Sequence, residues 1–132
     1  MIEMELSRIV ISETNDEQVI VLQEVNGTRT FPIVIGNYEA MALDRSIKNI
    51  KSARPLTHDL IGNIFLALNV KLLKITITQL KSNTFYAKLT LQQNGKELEI
   101  DTRPSDALVL ATHSKIPIYV SEDVIDKLSD GI

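Results

Sequence analysis

Apolar positions along the first third of the chain change phase. Met4 and Leu6 alternate with Glu3, Glu5 and Ser7, whereas Ile9 and Ile11 carry the alternation on with the opposite parity. A strand whose apolar face switches in this way is expected to contain a bulge. Val19-Ile20-Val21-Leu22 is a short continuous apolar run, as in a strand buried on both faces. Asn26-Gly27 is a hairpin turn signal ahead of Phe31, Ile33 and Ile35. Pro32 removes a ladder donor from that last run and predicts an edge position for it. The opening third therefore reads as a small meander.

From Tyr38 the period becomes helical, with Ala40, Leu43, Ile47 and Ile50 on one face. Gly36 ends the preceding strand, Asn37 is the expected N-cap, and Glu39 falls in the first turn. After a connector through Arg54-Pro55, Thr57 is expected to cap a second helix running to about Asn69. Its core face would be Ile61, Ile64, Phe65 and Leu68, with His58 and Asp59 at its start. Three alternating runs follow, around Ile75, Leu89 and Ile100, with turns at Lys81-Ser82-Asn83 and Asn94-Gly95. They predict an antiparallel meander whose Thr, Lys and Glu face is half solvated or covered by a partner subunit. Ala107, Leu108, Leu110 and Ala111 then recur at helical spacing, with Pro104 in the first turn and Ser105 or Thr102 as the cap. Ile116 to Val120 reads as a short strand, placed at an edge because of Pro117. Ser121 caps a last helix through Leu128, and residues 129–132 are expected to fray.

The expected class is α+β: a single domain over 1–132 with about four helices and roughly seven strands, in two groups of antiparallel or mixed sheet. With 132 residues, 44% of them hydrophobic, the chain can bury a core without metal or disulfide support. Short edge strands and only three phenylalanines predict that a second subunit completes part of that core, most simply in a two-fold homodimer. Cysteine is absent, which removes thiol nucleophiles and zinc-thiolate sites. The first residues lack the basic start and apolar run of a secretory signal, and no stretch reaches the length of a membrane span. A cytoplasmic location without membrane partners is the expectation. Net charge is −3, with 14 Lys and Arg scattered among 17 acids, which speaks against gripping nucleic acid through a broad basic stripe. It leaves room for a nuclease whose clustered carboxylates hold cations against the phosphate. No Gly-rich phosphate loop is present, which removes P-loop nucleotide hydrolysis.

Chemistry concentrates in Ile100-Asp101-Thr102-Arg103-Pro104-Ser105-Asp106-Ala107, where a strand gives way to a helix. Ligand groups often converge at such junctions. The same residues also suit a plain capped helix start with Arg103 clamped to Asp101 or Asp106. His58 is a candidate general base or metal ligand, and Asp59 a ligand or orienter; both also suit a first helical turn with no chemistry. His113, late in a helix, suits the dipole there. Tyr86 and Lys88 have the chemistry to stack on and neutralise a single strand, although pairing of Lys88 with Glu97 or Glu99 across strands explains that lysine more simply.

Asp101-Thr102-Arg103-Pro104-Ser105-Asp106-Ala107 resembles the Asp-x-Arg-Pro-Ser-Asp-Ala signature of the bifunctional nuclease domain family. Gly36-Asn37-Tyr38-Glu39-Ala40, Arg54-Pro55-Leu56-Thr57-His58-Asp59-Leu60 and Asn83-Thr84-Phe85-Tyr86-Ala87 match it in order and spacing, so the resemblance covers nearly the whole chain. It implies phosphodiester hydrolysis of DNA and RNA. By residue chemistry, that reaction would take a divalent metal, magnesium or manganese, on Asp101 and Asp106 with Glu39 or Asp59. Arg103 would stabilise charge on the phosphate, and His58 would activate water or protonate the leaving oxygen. Two other classes stay open: a non-catalytic oligomeric binding or regulatory module in which these stretches are structural, and a sensor holding a small anion on Arg103. Acids open to solvent and converging with His58 would mark catalysis, and satisfied internal pairs the structural role of a non-catalytic module.

Overall fold

A computed structural model of the chain describes residues 1–12, 14 and 16–130, and every side chain among them except those of 129 and 130. Among the described residues seven strands and four helices occur in the order β1 (Ile2–Val10), β2 (Glu17–Glu24), β3 (Thr30–Gly36), α1 (Asn37–Lys48), α2 (Thr57–Ala67), β4 (Lys71–Lys81), β5 (Thr84–Gln93), β6 (Lys96–Thr102), α3 (Pro104–Ser114), β7 (Ile118–Val120) and α4 (Glu122–Asp130). The α+β class holds. The two expected strand groups are one mixed sheet, of order β3-β2-β1-β7-β4-β5-β6.

The joint is β7. It runs antiparallel to β1 and parallel to β4, with Ile118 opposite Ile75 and Val120 opposite Ile77. Sequence reasoning placed this strand at an edge, and the correction has a simple cause. Pro117 precedes the first paired residue, so no ladder donor is lost, and its carbonyl accepts the Ile75 N–H at 3.2 Å. Pro32, inside β3, does lie on the edge. The phase switch in β1 is a bulge between Leu6 and Arg8. Asn26-Gly27 belongs to a five-residue loop over 25–29, whereas Ser82-Asn83 (φ 53° and 62°) and Asn94-Gly95 (φ 53° and 78°) make two-residue turns with the positive φ values that match strand twist.

The sheet is strongly curled. Four strands separate β3 from β5, which in a flat sheet would put them about 24 Å apart. Yet the rings of Phe31 on β3 and Phe85 on β5 stand 6.1 Å apart. Against this sheet lies α3, buried at Pro104 and at every position from Ala107 to Ala111. A helix that is apolar all round belongs inside, and each leucine so buried contributes about 1.5–3 kcal/mol. Ala40 and Leu43 of α1 are buried with it in the same core, whereas Ile47 and Ile50, expected on that face, are exposed because the helix ends at Lys48 and its last turn clears the core. The expected core face of α2 is likewise only half right: Ile61 and Phe65 are partly buried, while Ile64 and Leu68 are exposed.

Three expected caps are displaced by one or two residues. The N-cap of α1 is Gly36, and Asn37 instead accepts a hydrogen bond from Gln18 Nε2. In α2 the N-cap is Leu56, which makes no side-chain cap; its own N–H donates to the Asp59 carboxylate at 2.9 Å, the half of a capping box in which a first-turn acid reaches back. In α3 it is Arg103, while Thr102 Oγ1 donates to the Arg103 carbonyl. Ser121 caps α4 as expected, its Oγ accepting the Asp123 N–H. The helix extends to Asp130, and the expectation for 131–132 lies outside the described residues.

Candidate functional site

The starts of α1, α2 and α3 meet. From the first turn of α3, Asp106 accepts two hydrogen bonds from Arg103, Nε to Oδ2 at 2.9 Å and Nη2 to Oδ1 at 3.2 Å. Arg103 reaches the opposite way with Nη1, 3.2 Å from Glu39 Oε1 on α1. His58 on α2 brings Nε2 to 3.0 Å from Asp106 Oδ1. These four residues, from three helices, form one hydrogen-bonded chain.

Local sequence explains each placement. β6 ends at Thr102, and Pro104 starts α3 with its fixed φ, so Arg103 sits at the turn with Asp106 three residues on. Gly36 leaves room for Glu39: a Cβ there would stand 2.6 Å from Glu39 Oε2. Acids in the first turns of α1 and α3 complement the positive ends of the helix dipoles. The side chains of His58, Glu39 and Asp106 are mostly covered, while that of Arg103 is 65% exposed and offers the cluster to solvent.

The electrostatics follow from this geometry. Burial works against the charge on Asp106, but hydrogen bonds from Arg103 and His58, with their charges, outweigh it and hold the carboxyl below its ordinary value of 3.8. The hydrogen bond to Asp106 and its charge, with Glu39 adding to them, raise the Arg103 guanidinium further. An ionised Asp106 only accepts, so the proton of the contact lies on His58 Nε2. In neutral His58 the free lone pair is then on Nδ1, which makes no hydrogen bond within the described chain. Arg103 has five N–H donors, of which three are engaged by Asp106 and Glu39; two remain for an external acceptor.

Two other expected residues are elsewhere. Asp101 is exposed on β6, opposite Lys88. Its neighbour Ile100 pairs with buried Leu89, so strand alternation sends Asp101 to the face away from the helices. Asp59 is occupied by the Leu56 N–H. Lys88 is ion-paired to Glu99, as the simpler reading of that lysine had it. What sequence reasoning missed is that Glu39, rather than Asp101, is the second partner of Arg103; its only signal was an acid in a helix first turn after Gly36.

The expected metal set does not fit this arrangement. The guanidinium of Arg103 stands between Glu39 and Asp106, and among the described residues no three His, Asp or Glu side chains group so as to hold a metal ion. A cleft of about 570 Å³ opens at the other ends of α1 and α3, where Leu6, Arg8, Ile47, Thr112 and Lys115 line it; none of the four clustered residues does.

Fold and site together define a single α+β domain that presents an Arg-carboxylate-His cluster at its surface. The chain belongs to the bifunctional nuclease domain family, whose description matches residues 20–130. It is 37% identical over 123 residues to an uncharacterized protein of Mycobacterium tuberculosis strain H37Rv, covering 93% of this chain and 73% of that one. It is 29% identical to bifunctional nuclease 2 of Oryza sativa subsp. japonica over 92% of this chain, and 28% identical to bifunctional nuclease 1 of Arabidopsis thaliana over 86%. The matches span only 38% and 35% of those plant proteins.

Proposed function

We propose that this protein is a nuclease that hydrolyses phosphodiester bonds of DNA and RNA at the junction of its three helix starts. The observation that carries the reading is the His58-Asp106-Arg103 contact, a proton acceptor oriented by a carboxylate beside a cation with free donors. Family membership and plant relatives named bifunctional nuclease support it. Converging helix N-termini favour an anion between them, and a cluster at the surface suits a polymer better than an enclosed cavity would.

In this reading the two free N–H groups of Arg103 hold a non-bridging phosphate oxygen. His58 Nδ1 takes a proton from water as the water oxygen bonds to phosphorus. The ester P–O bond breaks on the far side, and the leaving alkoxide takes up a proton from solvent, to which His58 later returns the one it took. Asp106 fixes the imidazole tautomer, and Glu39 holds Arg103 from the other side. Among the described residues the carboxylates and histidines do not group around a metal, so the chain's own side chains carry these roles.

Purified wild type is assayed on single-stranded DNA and RNA in magnesium, in manganese and in chelator, beside His58→Ala and Asp106→Asn, with folding checked by thermal melting. Cleavage by wild type, lost in both folded variants, is the expected result. Asp101→Asn in the same assay decides whether that acid takes part from the other face of β6.

One observation favours a second reading. Both oxygens of Asp106 and one of Glu39 are engaged by Arg103, as in a structural clasp of a non-catalytic binding module. Wild type that is inert under all three conditions selects that reading.

A further inference from the structure

Strand β1 is open along half of one edge. It pairs with β2 over 4–10, but with the short β7 only over 2–4, because the chain upstream of Ile118 turns off into Pro117 and α3. Over 5–10 nothing among the described residues pairs with the side of β1 that β7 leaves. The backbone direction follows from one contact: the Val25 N–H donates to the Glu3 carbonyl at 3.1 Å, so Glu3 turns its main-chain groups toward β2. Alternation along β2 then turns those of Gln23, Val21 and Val19 toward β1, and those of their partners Glu5, Arg8 and Val10 toward β2. The N–H and C=O groups of Leu6 and Ile9 therefore point into the open side, with the bulge between them. These are main-chain groups that a neighbouring strand satisfies.

The open side is also one wall of the cleft of about 570 Å³ at the far ends of α1 and α3. Leu6 and Ile9 stand opposite buried Leu22 and Ile20, so their side chains take the helix face of the sheet, where Ile47 of α1 and Thr112 of α3 complete the lining. Arg8, opposite Val21, takes the other face. Arg8 and Lys115 border the cleft and make no ion pair or hydrogen bond among the described residues. Asp44, an acid of the lining, is held by Lys48 at 3.0 Å, and Glu5 lies outside the cleft. Edge strand β3 is interrupted by Pro32, which discourages strand addition; the open side of β1 has no proline.

We propose that the open side of β1 takes up an extended segment of a partner protein as an added strand, acidic on one face and apolar on the other. Main-chain hydrogen bonds to Leu6 and Ile9 supply affinity, and alternate side chains supply specificity. Apolar residues of the added strand face the cleft, onto Ile9 and Ile47, and the intervening carboxylates meet Arg8 on the opposite face of the sheet, with Lys115 at the cleft border for one more. The stretch 5–10 fixes the length of the segment, about 20 Å of strand. A second copy of β1 is a poorer occupant: in the antiparallel register that overlaps both open halves, Arg8 stands opposite Ser7 and no acid comes to it. The cleft lies at the other ends of α1 and α3 from the Arg103 cluster, so the inference stands apart from the nuclease reading and an occupant leaves the cluster open.

The probe is a hexapeptide of alternating aspartate and valine, blocked at both ends, added to the ¹⁵N-labelled full chain and followed by amide chemical shifts and amide exchange. It carries every feature that the open side calls for. Shifts are expected to move at 5–10 and at Ile47, Asn49 and Lys115, with exchange of the Leu6 and Ile9 amides slowed at least about tenfold at saturation. The same peptide with lysine for aspartate, or with a proline in the middle, is expected to bind at least about tenfold more weakly. Arg8→Glu, at an exposed position and checked by thermal melting, is expected to reverse the preference between the aspartate and lysine peptides. No binding of the aspartate peptide at about 1 millimolar, shift changes confined to another surface, unslowed exchange of Leu6 and Ile9, or an unaltered preference in folded Arg8→Glu would overturn the proposal. Decanoate moving the same shifts where the peptide does not would also overturn it, and would mark a site for a small amphiphilic anion.

Discussion

His58 Nε2 lies 3.0 Å from Asp106 Oδ1, although 48 residues separate the two in the chain. The contact ties α2, which has no fully buried residue, to α3, the most buried helix of the fold. It therefore serves stability and site geometry together, and the two contributions are separable by experiment.

A double-mutant cycle of His58→Ala and Asp106→Asn, read by urea unfolding, is expected to give a coupling of about 1 kcal/mol, the range of a partly exposed ion pair in contact. A coupling indistinguishable from zero would mean that the imidazole rests near Asp106 without being held by it.

The low pKa of Asp106 sets a pH dependence whose sign follows from linkage. Its folded value lies below 3.8, so its contribution to stability is fully present above that pH and is lost as pH falls through the lower folded value. Wild type should thus exceed Asp106→Asn in stability by a margin that is steady near pH 5 and shrinks below about pH 4. A margin that grows on acidification would show that the carboxyl is raised instead.

Arg103→Lys keeps the charge and loses the fork that spans Asp106 and Glu39. If the nuclease reading holds, cleavage should fall by at least about tenfold while stability changes by less than about 1 kcal/mol, since the guanidinium is mostly exposed. Full activity in the lysine variant would leave Arg103 as a structural clasp only.

Thr76 is completely buried, and its hydroxyl has no partner among the described residues. Thr76→Val keeps the shape and removes the cost of desolvating that group, so a gain of roughly 1 kcal/mol is expected, seen as a higher urea midpoint at unchanged slope. A loss of stability would reveal an ordered water or another partner on the hydroxyl.

The elements were largely legible in the sequence because each rests on local periodicity. The β1 bulge was visible as a change of parity, and the β4-β5-β6 meander as three alternating runs joined by turn residues. The caps of α1, α2 and α3 were less legible, each one or two residues from its expected place, because Asn37, Thr57 and Ser105 all have capping chemistry while the backbone conformation that selects among neighbours depends on how the chain enters the helix.

By itself the sequence determined the helix starts and the family of the chain, since both depend on residue types at short spacing: Gly36 to Glu39, Arg54 to Asp59, and Arg103 to Asp106. Only the tertiary structure decided which of those residues meet. Strand alternation, carried into one curled sheet, turns Asp101 away from the helices, and packing of α1 beside α3 brings Glu39 to Arg103 in its place. The insertion of β7 between β1 and β4 was equally out of local reach, because Pro117 forbids a central strand only if its N–H position falls inside the ladder. Pairing between distant strands sets that register, and it leaves no trace in the spacing of neighbouring residues.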